Sequence, residues 1–295
     1  MHHADRRSQD RRNRGRAAGL LSGLLLSSSL MLGACQTAGV SGVSVDRSPG
    51  TAANIDSLNR VIENNPRDAS AYNTRGVAYG QAGRLDAAIE DFNTALRLAP
   101  DSHQAYANRA LVQRRKGNLT AAISDYTNAI RLQPDYDAAL VGRGNAYMET
   151  GRYDAALADF DRAIAVDSSN ARAFFSRGLI HQEQRRHEAA VEDFATAIGL
   201  DPNAPAPYIS RGLSYLALND PKAALSDFTD AITRDKRSSV AWANRGLALE
   251  VLGETSDARR AYNRALGLDA SNAIARDGIG RLDRGDGGLA MTTPS

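Results

Sequence analysis

Residues 69–102 read ASAYNTRGVAYGQAGRLDAAIEDFNTALRLAPDS, and residues 137–170 read DAALVGRGNAYMETGRYDAALADFDRAIAVDSSN. Laid over one another, they match Arg75-Gly76 with Arg143-Gly144, Ala78-Tyr79 with Ala146-Tyr147, and Asp91-Phe92 with Asp159-Phe160. Working outward at the same spacing finds six contiguous units of 34 residues: 69–102, 103–136, 137–170, 171–204, 205–238 and 239–272. Pro66, Pro100, Pro134 and Pro202 stand on the same grid. Self-similarity at a fixed period of this length marks a stacked repeat array, in which each unit buries its apolar face only against its neighbours.

Each unit divides into two periodic halves. Position 4 is Tyr72, Tyr106, Leu140, Phe174, Tyr208 and Trp242, and position 8 is Gly76, Ala110, Gly144, Gly178, Gly212 and Gly246. Together with position 11 these lie on one helical face, and the small residue at 8 admits a close neighbour. Gly83, Gly117, Gly151 and Gly253 at position 15 signal a turn, with Arg185 and Asn219 as departures. Beyond it, position 20 is Ala in every unit, position 24 is Phe or Tyr, and position 27 is Ala again, the buried stripe of a second helix. This pattern resembles the tetratricopeptide repeat. The resemblance implies an all-α, right-handed superhelical solenoid of six helix–turn–helix repeats. A half-repeat at 51–68, with Ile55, Leu58 and Ile62 on one face, precedes the units, and a polar capping helix at 273–284 closes them.

Charge is distributed unevenly. The chain has 36 Lys and Arg against 34 Asp and Glu, a formal +2 that leaves no basic excess suited to nucleic acid. Six arginines and two aspartates give residues 1–34 a local +4, and the remainder is −2. An Arg-rich start, an apolar run from Ala17 to Leu32 and small residues after it read as a secretory signal peptide over 1–34, too short and soft for a spanning helix. Leu32-Gly33-Ala34-Cys35 resembles a bacterial lipobox, which implies cleavage before Cys35 and lipidation of its thiol and new N-terminus, palmitate included. Several acyl chains at about 0.8 kcal/mol per buried CH₂ hold a protein on a membrane almost permanently. Gln36 at the following position implies outer-membrane sorting, with the mature chain facing the periplasm; inner-membrane retention is the alternative. Residues 35–50 read as a flexible tether and 285–295 as a disordered tail. Cys35 is the single cysteine, which excludes a disulfide framework and a cysteine-clustered metal site.

Two further patterns concern the repeats themselves. The family has Leu at position 7, whereas this chain has Arg in all six units: Arg75, Arg109, Arg143, Arg177, Arg211 and Arg245. Position 23 is Asp in five units, Asp91, Asp125, Asp159, Asp193 and Asp227, with Ala261 in the sixth. Antiparallel helices place positions 7 and 23 at similar heights, so each Asp is expected to reach an Arg on either side, Asp125 for example lying between Arg109 and Arg143. The ladder is read as fixing register between units. In the family, first-helix positions 2, 5, 6, 9, 12 and 13 line a concave groove. That resemblance implies a peptide-binding surface holding Val141, Asn145, Met148, Phe175, Leu179, Ile209, Leu213, Leu216, Val240, Asn244, Leu247 and Val251. Such a surface suits an extended or helical peptide anchored by its side chains.

Signatures of catalysis are scarce: there is no His-Glu-x-x-His, no Gly-x-Ser-x-Gly and no phosphate-binding loop. The expectation is a non-catalytic protein-interaction scaffold of the bacterial cell envelope, needing no cofactor or metal and taking envelope proteins, not nucleic acid, as partners. A pilotin or outer-membrane assembly factor is the alternative reading, and an envelope hydrolase or a small-molecule or sugar-binding protein is the third.

Overall fold

Residues 49–285 are described in a computed structural model; the signal peptide, Cys35, nearly all of the tether and the tail beyond Gly285 lie outside them. Among the described residues there are fourteen helices and no strand. Helix α1 (Pro49–Asn64) comes first. The six units follow as pairs: α2 (Ala69–Gln81) with α3 (Leu85–Leu98), α4 (His103–Arg115) with α5 (Leu119–Leu132), and α6 (Asp137–Glu149) with α7 (Tyr153–Val166). Then come α8 (Ala171–Glu183) with α9 (His187–Leu200), α10 (Pro205–Ala217) with α11 (Pro221–Arg234), and α12 (Ser239–Val251) with α13 (Thr255–Leu268). Helix α14 (Ala273–Asp283) ends the array.

Local chemistry sets these boundaries. First helices start behind a side-chain cap in most units: Asp68, Ser102, Asn170 and Ser238 each accept a backbone N–H from the first turn, as Asn272 does for α14. Pro205 and Pro221 occupy helix first turns, where a missing N–H costs nothing. Between the two helices, position 15 is left-handed in every unit, with φ between 72° and 81° at the four glycines, 59° at Arg185 and 62° at Asn219. The two departures therefore adopt the glycine conformation without being glycine.

Packing within a pair rests on the position-24 ring. Phe92, Phe160, Phe194, Phe228 and Tyr262 are fully buried, each contributing about 1.5–3 kcal/mol by burial alone. A Cβ added at Gly144 would lie 2.6 Å from the Phe160 ring, so the first helix approaches that ring only because position 8 has no side chain. In the second unit position 8 is Ala110, and the close approach moves to the next unit, where the Tyr126 ring lies 2.4 Å from the place of a Cβ on Gly142. Successive first helices also touch one another, with no comparable contact between successive second helices, so the array curves with first helices on its inner side.

The ladder forms within units and not between them. Arg75, Arg109, Arg143, Arg177 and Arg211 each grip the Asp sixteen residues on in a two-pronged pair, Nε to Oδ2 and Nη2 to Oδ1, at 2.6–2.9 Å. Among the described residues the expected second arm of each Asp is absent, and Asp125 forms no ion pair with Arg143, whose guanidinium is committed to Asp159 and Thr127. The guanidinium carries the link to the preceding unit instead. Its remaining Nη1 donates to position 25 of that unit, at Asn59, Asn93, Thr127 and Asp161 for the first four arginines. A ring at position 4 or 11 lies beside each of these guanidinium groups, and both do at Arg75 and Arg211, Arg75 lying 5.5 Å from the Tyr72 centroid and 5.6 Å from that of Tyr79. A planar fork that stacks and chelates at once explains Arg, and not Lys, in this slot. Arg245 has neither a hydrogen bond nor an ion pair among the described residues, and lies only over the Trp242 ring at 5.8 Å.

Candidate functional site

The groove predicted on the inner face is built from α6, α8, α10 and α12. None of the twelve predicted lining residues is fully exposed. Val141, Asn244 and Leu247 are buried, and the other nine are half-buried. Ile209, Leu213 and Leu216 lean on the core formed by Ala224, Phe228 and Ala248, while Phe175 packs against Phe194 with ring centroids 5.7 Å apart. Each of these side chains is thus half-buried against its own unit or the one that follows.

Polar groups along the same face are largely satisfied by one another. Ser176 Oγ donates to Asn145 Oδ1 at 3.0 Å, and Gln182 Nε2 donates to the Ser210 carbonyl at 2.8 Å and to Ser214 Oγ at 2.9 Å. The cluster Arg114-Arg115-Lys116 is likewise engaged: Arg114 pairs with Glu149, Arg115 donates to the Gly80 carbonyl and Lys116 pairs with Asp86. These bonds run between units, and all but Lys116–Asp86, whose carboxylate is on the second helix α3, join neighbouring first helices. Two atoms are exceptions, Arg114 Nε and Asn244 Oδ1. Asn244 Nδ2 donates to the Val240 carbonyl at 3.0 Å, but Oδ1 is buried without a hydrogen-bond partner. The third to sixth units thus carry half-buried apolar side chains along these first helices, on a framework cross-linked by its own polar groups.

At the C-terminal end the structure shows a cluster that the sequence reading missed. Glu250, fully buried on α12, receives Arg281 of α14 through Nε to Oε1 and Nη2 to Oε2, both at 2.8 Å, and the Tyr262 hydroxyl donates to Oε2 at 2.5 Å. Burial first, and the neighbouring carboxylate second, push the Tyr262 hydroxyl far above the usual phenol range, so it remains a donor. The one signal available was Glu250 itself, an acid in the otherwise apolar run Leu247 to Leu252, offset from the ladder positions. The capping helix at 273–284 packs an apolar side, Ile274, Ile279 and Leu282, on the core of the sixth unit and leaves Arg276, Asp277 and Asp283 exposed, with this buried ionic contact holding it in place.

No group of three or more His, Cys, Asp and Glu among the described residues is placed to hold a metal, and no described helix is long and apolar enough to cross a membrane. The tetratricopeptide repeat model matches residues 55–103, 73–137, 107–165, 141–205 and 209–273, well over half of the chain. The chain belongs to the tetratricopeptide repeat family. Among solved structures, this repeat protein is similar to a chain of the APC/C hetero-tetramer Cut9–Hcn1, with a TM-score of 0.69 at 17% identity over 81% of this chain and 46% of that one. It spans less than half the length of that relative. Pseudomonas aeruginosa pilF gives a TM-score of 0.66 at 19% identity, covering 73% of this chain and 99% of that one. YrrB, described as a tetratricopeptide repeat protein with an unusual peptide-binding site, gives 0.54 at 20% identity, covering 65% and 99%. At these identities the likeness is one of fold. No curated protein matches the chain significantly.

Proposed function

We propose that this repeat protein is a membrane-tethered adaptor of the bacterial cell envelope, anchored through Cys35 to the outer membrane and facing the periplasm, and that it captures peptide segments of partner proteins on the inner face of its array. The family's repeat fold is that of a protein-interaction scaffold. The observation that carries the site is the apolar strip from Val141 to Val251, half-buried in place while its polar neighbours bond to one another. A surface of this kind takes apolar anchors of a peptide without having to break hydrogen bonds of its own. YrrB, a repeat protein of similar fold, is described as having a peptide-binding site, which supports peptide capture as a use of this fold.

The binding claim is tested by Phe175→Glu with Leu213→Glu in the full chain, followed by crosslinking capture from cell envelopes. Partner recovery is expected to fall at least tenfold while the melting curve keeps a single transition; undiminished recovery moves the binding site to another face. The anchor is tested separately: radiolabelled palmitate is expected in the wild type and not in Cys35→Ala, and equal labelling of both removes the lipid claim.

A further inference from the structure

Among the described residues, the two ends of the array are complementary halves of one unit. Counted on the 34-residue grid, α1 holds the second-helix positions of a unit whose first helix is not among the described residues, and places Asn54, Leu58 and Val61 at positions 20, 24 and 27. Ile55 and Ile62 are buried and pack inward, whereas Val61, in the slot that Ala fills in every complete unit, is 45% exposed. Helix α14 holds the first-helix positions of a seventh unit, and the described chain ends at Gly285, before any second helix.

The match extends to the ring contact. In the five units with Gly at position 8, a Cβ there would lie 2.6–2.7 Å from the position-24 ring. Gly280 occupies position 8 of α14, and the nearest atom to a Cβ there is Arg284 Nη1 at 3.5 Å, with no ring over it. Leu58, at position 24 of α1, is the corresponding knob without its hole. Charges agree as well. Position 7 of α14 is Ile279 where all six complete units have Arg, and position 23 of α1 is Ser57 where five have Asp, so neither end presents an orphaned ladder charge.

We infer that α14 of one copy docks on α1 of the next, so that two copies of this chain complete a hybrid repeat in which Leu58 of one packs over Gly280 of the other. The contact is heterologous, and each added copy leaves the same two ends open, so assembly proceeds head to tail. One helix pair is a small interface, which makes the association weak and steeply dependent on concentration.

Sedimentation of the full chain in detergent, from micromolar to millimolar protein, tests this. The wild type is expected to pass beyond two copies as concentration rises. Val61→Glu and Gly280→Trp each block one end and are expected to remain monomeric, while an equal mixture of the two stops at two copies, because each variant retains the end that the other lacks. Val61 is exposed, and a Cβ on Gly280 would meet only the flexible end of Arg284 at 3.5 Å, so both chains are expected to keep the parent's circular dichroism and melting curve; Gly280→Arg is a second block at the same hole. Association through the N-terminal segment would be equal in all variants. A wild type that stays at one mass throughout, as when its own N-terminal residues cover α1, overturns the inference. So does a single variant that assembles like the wild type, or a mixture that gives no dimer.

Discussion

Arg245 shows what one missing carboxylate leaves behind. Five arginines at position 7 chelate an Asp whose side chain is only 4–8% exposed, but the sixth faces Ala261, itself 2% exposed. Ala261→Asp restores the geometry of the other rungs, and is expected to stabilise the sixth unit by about 1–2 kcal/mol, as a charge-assisted pair does when both partners are already held in place. Thermal melting checks this, and the gain should vanish in the Arg245→Ala background. His181 is the second informative residue, taking position 11 where Tyr79, Tyr147 and Tyr215 stand in other units. Burial first, and then the Arg186 charge, lower its pKa against the opposing pull of Asp193, 3.6 Å from Nε2, and its Nδ1 is buried without a partner. Burial lowers His187 in the same direction. The unfolded chain therefore binds these protons first: stability is complete above about pH 6.5 and declines as pH falls below it toward the folded pKa values. Melting between about pH 7.5 and pH 5.5 should cost the parent more than it costs His181→Tyr; equal losses would show that this imidazole does not govern the acid response.

Helix pairs depend on two contacts that a single substitution can probe separately. Gly144→Ala places a methyl group 2.6 Å from the Phe160 ring, and the ring, fully buried, has nowhere to withdraw. Despite the better helix propensity of Ala, the variant is expected to lose about 1–3 kcal/mol in urea unfolding. Asp159→Ala removes the other contact. It strands Arg143, whose side chain is 17% exposed, with Thr127 as its one remaining hydrogen-bond partner and the Tyr147 ring beside it. Because that guanidinium retains some water, the expected loss is about 2–3 kcal/mol, less than for a fully buried pair. Hydrogen exchange should place the damage in α6 and α7 together, since the pair joins the two helices of one unit; an unchanged exchange pattern would deny the ladder its structural role. The guanidinium bond to Thr127 makes the preceding unit the next to loosen.

Across the whole molecule, what recurs every 34 residues was legible and what occurs once was not. Periodicity identified six helix pairs and the Arg–Asp rungs, because each was repeated at fixed offsets. Position 25 escaped notice, since Asn59, Asn93, Thr127 and Asp161 share only a short polar side chain and not an identity. Groove exposure was also out of reach: whether Leu213 is an open anchor or half-covered depends on how closely the next unit stacks, which no single unit encodes. The C-terminal closure is the sharpest case, because Glu250, Tyr262 and Arg281 meet once in the chain, at spacings that no other unit repeats. A linear array frays from its ends, so this contact governs how the sixth unit opens. Arg281→Ala leaves a carboxylate with no solvent exposure and only the Tyr262 hydroxyl for a partner, an expected cost of about 3–5 kcal/mol. That loss should appear as rapid amide exchange through α14 and then α12 and α13, with α2 to α9 unaffected. Replacing both charges, as Glu250→Leu with Arg281→Met, removes the stranded carboxylate, and most of the protection should return. If Arg281→Ala exchanged like the parent, closure would have to reside in the apolar packing of Ile274, Ile279 and Leu282 alone.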